Sequence, residues 1–283
     1  MNQFRFFILI ILVGISFSCV KETPIPGYVT VNEFTLDTKF EEGSDSHHIT
    51  DVWVYLDDEF QGTYEVPATF PVLADGSHLL RLRAGIKVSG LDAWRSIYQF
   101  YDFESHTVDF KPNEDYVFNP TVEYFSETKF AWMEDFENPG LSFKATENSD
   151  TSFQRINDNQ LVFEGNGSGG FFLDTNRRIF EGITNSTYNL PIAGRSVYLE
   201  MDYRSSNTMV IGVIGWQSGG LQEQKQSLIL YPSEEWNKIY VNLSVEVSSM
   251  SDALGYSIWI GAILDAENDT SYCYYDNFKL IHE

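Results

Sequence analysis

SVYLEMDYRSS, residues 196–206, alternates with a period of two: Val197, Leu199, Met201 and Tyr203 form an apolar set, and Tyr198, Glu200, Asp202 and Arg204 fall opposite. That period belongs to a half-buried β-strand. Five later runs read the same way: TMVIGVIGWQSGG (208–220), QSLILYP (226–232), EEWNKIYVNLS (234–244), YSIWIGAIL (256–264) and SYCYYDNFKLI (271–281). Each has strand length and is bounded by Gly, Pro, Ser or Asn, the pattern of an antiparallel sandwich. In 256–264, Tyr256, Ile258 and Ile260 share one side, so Trp259 falls outside with Ser257 and Gly261. From Lys238 onward Ile239, Val241, Leu243 and Val245 are assigned to the core, with Tyr240, Asn242, Ser244 and Glu246 outside, and Trp236 is read as core.

Upstream the pattern is also β. Val52, Val54 and Leu56 alternate with Trp53 and Tyr55, Asp57-Asp58 makes a turn, and Ala74-Asp75-Gly76-Ser77 leads into Leu80, Leu82 and Ala84 alternating with Arg81 and Arg83. At FAWMEDFENPG (130–140) the reading changes, which puts a boundary near residue 127. The expected architecture is therefore all-β: a small N-terminal β-sandwich over residues 28–126, then a C-terminal antiparallel jelly-roll sandwich over 127–283.

Arg5, the apolar stretch Phe6–Ile15, and Ser16 and Ser18 flanking Phe17 ahead of Cys19 form a secretory signal. The apolar stretch is about half the roughly 20 residues that a spanning helix needs, so it reads as a cleaved signal over 1–18. It resembles a bacterial lipoprotein signal of the relaxed type found in Bacteroidetes, with Ser16 where an aliphatic residue is usual. The resemblance implies that Cys19 is lipidated, that 19–27 is a tether, and that the chain is held in the cell envelope, at the outer membrane. An ordinary cleaved signal and a secreted product is the alternative. Val20–Gly27, with two prolines and a glycine, opposes both helix and sheet. Cys273 is the other cysteine, so a lipidated Cys19 leaves no internal disulfide.

The formal net charge of −23 argues against nucleic acid, and against an anionic bilayer surface, as partner. Contact with membrane is expected through the lipid alone. No nucleophile elbow, zinc-protease helix motif or phosphate loop is present, and Gly165–Gly170 reads as a hairpin turn. His47 and His48 are adjacent, so on a strand they point apart and make no metal pair.

Two further resemblances follow from quoted segments. Val52–Gly85 looks like the PEGA-type or immunoglobulin-like β-domain of envelope proteins, in its strand, Asp turn, Gly62, Pro67 and Gly76-Ser77-His78 spacing. The YLEMDY strand, the Trp236-Asn237-Lys238 strand start and the closing YYDNFKLI are similar to the galactose-binding-like jelly roll of carbohydrate-binding modules, over roughly 130–283. That likeness implies a structural Ca²⁺ held by Glu134, Asp135 and Glu137 with Asp276; hard oxygen ligands from distant segments suit it. The other reading of these acids is solvent-facing charge, with Asp276 capping a turn.

A sugar offers an apolar face and a rim of hydroxyls, so a binding face needs flat aromatics beside hydrogen-bonding groups. The outward set supplies Trp259, Tyr198 and Tyr240 with Glu200, Asp202 and Asn242, and Trp216 at the rim. The expected function is non-catalytic binding of a glycan or another envelope component, including an envelope protein. A glycoside-active enzyme using a carboxylate pair and an assembly factor that binds only proteins are the alternatives.

Overall fold

The computed structural model describes residues 25–283, and Cys19 with its signal lies outside the described residues. The N-terminal half contains β1 (Gly27–Val31), β2 (Thr35–Asp37), β3 (Asp51–Leu56), β4 (Glu59–Glu65), β5 (Ala68–Val72), β6 (Gly76–Lys87), β7 (Arg95–Ile97), β8 (Phe103–Phe110), β9 (Asp115–Phe118) and β10 (Thr121–Glu123). Its larger sheet runs β4-β3-β6-β7 with β8 also on β6, and β5-β1-β9 faces it, with a small β10-β2 pair beside. Asp57 and Asp58 both take positive φ, which matches the twist of a tight β3–β4 hairpin. The Asp57 carboxylate accepts from the Leu79 amide at 2.9 Å and lies 2.6 Å from His78 Nδ1, tying that turn to β6.

The C-terminal half contains β11 (Lys129–Glu134), β12 (Phe143–Ala145), β13 (Gln154–Ile156), β14 (Ser168–Asp174), β15 (Ile179–Thr184), β16 (Val197–Ser205), β17 (Met209–Trp216), β18 (Gln222–Leu230), β19 (Ser233–Asn242), β20 (Gly255–Ile263) and β21 (Thr270–His282). These form two antiparallel sheets, β13-β14-β21-β16-β19 with β11 on β21, and β12-β15-β20-β17-β18, stacked as a jelly-roll sandwich. Val197, Leu199, Met201 and Tyr203 from the first sheet and Tyr256, Ile258 and Ile260 from the second meet in one core, as their alternation requires.

The second core crosses between the halves. Val29, Val52, Leu82, Phe70 and Tyr98 pack with Tyr198, Tyr240 and Ile281, which stand on the reverse face of the first jelly-roll sheet. That sheet is therefore buried on both faces, a middle layer between the N-terminal half and the second sheet.

Two strand assignments are corrected. β19 stops at Asn242, whose Oδ1 accepts from the Ser244 amide at 3.0 Å, and a short helix, Ser244–Ser249, follows. Helical spacing then buries Val247 and leaves Val245 exposed rather than in the core. Trp236, near the start of β19, is half-buried against Phe163, with ring centroids 5.3 Å apart, and takes no part in the core.

Candidate functional site

The outer face of the second jelly-roll sheet is built by strand parity and register. Pairing of β15, β20, β17 and β18 lines up Ile183, Trp259, Gly212 and Gln226 in one row. The next row holds Ser257, Ile214 and Gln224, and the one beyond it Gly255, Trp216 and Gln222. On the other side of Trp259 the row is Glu181, Gly261, Val210 and Ile229. Trp259 is on the outward side, and belongs to neither hydrophobic core.

The Trp259 ring lies along its own strand: a Cβ placed on Gly261 would come within 2.7 Å of its Cζ2. Glycine at 261 is therefore what lets the indole lie flat. Only 9% of Trp259 is exposed, less than an open platform, and its indole N–H has no partner. Trp216 closes β17 and is half-buried, with Nε1 donating to Ser257 Oγ at 3.0 Å; this pins its ring across β20.

Beside them Gln222, Gln224 and Gln226 are all exposed. Their outward alternation with Glu223 and Lys225, which pair with each other at 2.6 Å, makes a ladder of amides, each both donor and acceptor. On the opposite flank Glu181 Oε1 accepts from Thr146 Oγ1 at 2.8 Å and Asn148 Nδ2 at 2.9 Å. The arrangement sets exposed amides beside the half-buried Trp216 and the largely buried Trp259, with the Glu181 carboxylate on the far flank. The glutamine ladder is the part that sequence reasoning missed, although its signal, Gln at every second position of QEQKQ, was there to read.

The remaining outward residues do not face solvent. Tyr198, Glu200, Asp202 and Tyr240 are buried and Asn242 is half-buried, because the N-terminal half covers that face. Glu200 accepts from Tyr98 at 2.7 Å and Tyr124 at 3.0 Å, and lies 3.5 Å from Lys238 Nζ. Asp202 accepts from Ser46 Oγ at 2.8 Å and Asn277 Nδ2 at 3.1 Å. The Tyr240 hydroxyl accepts from the His48 amide at 2.9 Å, and Asn242 Nδ2 donates to Tyr198 at 3.1 Å. Lys279 donates to the Ser44 carbonyl at 2.5 Å. Burial pushes Lys279 down to about 8 and Tyr198 up to about 12, and it raises Tyr98, Tyr101, Tyr124 and Tyr240 above the usual phenol range. The expectation that these groups form an open ligand face is corrected: they are the seam between the two halves.

The four acids expected around an ion are each held by separate donors. Glu134 accepts from the Phe136 and Ser142 amides and from Ser142 Oγ, and Asp135 from the Glu137 amide. Glu137 instead caps the 165–167 turn, taking the Asn166 and Gly167 amides. Asp276 accepts from Ser168 Oγ at 2.6 Å and from the Asn277 amide; burial pushes its carboxyl up to about 8. Among the described residues no group of three or more potential ligands converges on one point.

No family model matches the sequence, and no curated protein does. Among solved structures, the chain is similar to the C-terminal family 22 carbohydrate-binding module of Clostridium thermocellum Xyn10B, at 14% identity and a TM-score of 0.39, covering 54% of this chain and 92% of that one. It is also similar to TmCBM61, solved in complex with β-1,4-galactotriose, at 15% identity and a TM-score of 0.34 over 53% of this chain and 94% of that one. A third similar structure is a carbohydrate-binding module of the β-sandwich superfamily, at 12% identity and a TM-score of 0.36 over 81% of this chain and 84% of that one.

Proposed function

We propose that the protein is a non-catalytic, envelope-anchored lipoprotein that binds a neutral glycan on the outer face of the β15-β20-β17-β18 sheet. The observation that carries this reading is the ladder Gln222, Gln224 and Gln226 in register with Trp216, Ile214 and Gly212, beside the flat Trp259. This is also the jelly-roll face that the N-terminal half leaves uncovered. Indole faces take the apolar side of a pyranose, and amides take its hydroxyls. The anchor rests on Cys19 and the apolar stretch ahead of it.

A screen of residues 20–283 against neutral oligosaccharides tests the reading, followed by titration of Trp259→Ala and Gln224→Ala. Each is expected to weaken binding, Trp259→Ala by about 1–3 kcal/mol, the range for loss of an aromatic anchor. If Trp259→Ala lowers stability while binding per folded molecule stays unchanged, the ring serves the sheet and not a ligand.

A further inference from the structure

The outer face of the N-terminal sheet carries a surface that the glycan-binding reading does not use. Register along β4-β3-β6-β8 puts Thr63, Trp53, Arg83 and Phe103 in one row and Phe60, Tyr55, Arg81 and Ser105 in the next. Three rings cluster there: Phe60 lies 5.6 Å from Trp53 and 5.5 Å from Tyr55, centroid to centroid. Phe103 completes the face, with the guanidinium carbons of Arg81 and Arg83 at 5.3 and 5.9 Å from its centroid. Phe60 and Phe103 are 53% and 40% exposed, so nothing among the described residues covers them.

The face also carries two arginines, Arg81 and Arg83, on adjacent rows. With 41 acidic residues against 18 basic, a guanidinium has acids in excess to pair with. Arg81 does so with Asp58, and Arg95 with Asp51 and Glu65. Arg83 has no acidic partner among the described residues; its guanidinium lies over the Phe103 ring, it pairs across the strands with Trp53, and its Nε is buried and unbonded. An arginine laid against an aromatic ring and left without a carboxylate is a preorganised receptor for an external one.

We propose that this face is a second binding site, for an acidic polysaccharide of the uronate type, with Arg83 receiving a sugar carboxylate and Trp53, Tyr55 and Phe60 supporting the rings. Charge complementarity selects the anion: the chain as a whole repels polyanions, and on this face Arg83 offers a guanidinium that no carboxylate of the described residues neutralises, beside clustered rings. Three clustered rings beside a single free guanidinium suit a ligand that pairs each carboxylate with a flat apolar ring. An acidic peptide has no flat ring beside its carboxylates for the aromatic cluster to support.

The test is calorimetric titration of residues 20–283 with oligogalacturonate and with its methyl-esterified form. Binding is expected for the acid alone, weakening with added salt. Arg83→Gln should lower the affinity by about tenfold or more, the effect of losing a charge-assisted contact. Phe60→Ala, at an exposed position, should weaken it severalfold, and both variants should keep the parent melting temperature. Equal affinity in Arg83→Gln, equal binding of the esterified oligomer, or equally tight binding of polyglutamate would each overturn the proposal. So would absence of binding to both oligogalacturonate and oligoalginate.

Discussion

Replacing Glu200 by Gln removes one charge from the seam between the halves while keeping volume and shape. Glu200 is fully buried and serves three groups: the hydroxyls of Tyr98 and Tyr124 and the ammonium of Lys238. Lys238 would then face Asp202 alone, at 3.7 Å. At 3.5 Å and an effective dielectric of about 20, the lost attraction is about 4–5 kcal/mol. Removing one partner of a buried ion pair typically costs about 3–5 kcal/mol, so the two routes agree. Urea denaturation of residues 20–283 at neutral pH reads the loss as a fall in the unfolding midpoint. The double variant Glu200→Met, Lys238→Met should recover most of it, since an apolar pair leaves no charge stranded. A cost below about 1 kcal/mol for Glu200→Gln would refute the reasoning, because it would mean that water reaches the seam.

Asp276 gives a pH signature. With its carboxyl pushed up to about 8, the folded protein holds a proton that the unfolded chain releases near pH 4, so stability falls as pH rises from about 4 to about 8. Asp276→Asn should flatten that slope, as melting temperatures at pH 5 and pH 8 will show; Lys279, lowered to about 8, acts in the opposite sense above that range. Residues 127–283 expressed alone uncover Tyr198, Tyr240 and Ile281, which belong to the shared core, and should bind a hydrophobic dye that the full chain does not; equal dye binding would argue for independent halves. For the anchor, Cys19→Ala should move the protein from the membrane to the soluble fraction and remove an acyl mass from the parent, and an unchanged fractionation with no acyl mass would end the lipoprotein reading.

Period-two alternation was legible wherever one face of a strand meets a core. It placed Leu199 and Met201 inside and Trp259 outside, and in each case the side is right. Parity cannot tell water from a second protein layer on the other side. Tyr198, Glu200 and Tyr240 read as outward, and they are, but what lies outward is Tyr98, Tyr101 and Tyr124. Those partners come from far along the chain: Tyr98 and Glu200 are 102 residues apart, and Ser46 and Asp202 are 156 apart. Burial of Glu200 and Asp202 depends on two lysines and three hydroxyls arriving together, which no local window displays. Val245 failed for a different reason: Asn242 ends the strand locally, and the period changes from 2 to 3.6 within three residues.

The position of β1 has a mechanical consequence. It begins at Gly27 and is the central strand of its sheet, bonded to β5 on one side and β9 on the other. A strand flanked on both sides cannot be peeled away from a free edge. Tension entering at residue 27 is shared between two ladders at once, so a pull on the N-terminal end of this strand, such as the proposed anchoring would apply, reaches the body of the fold before any single pairing carries it alone.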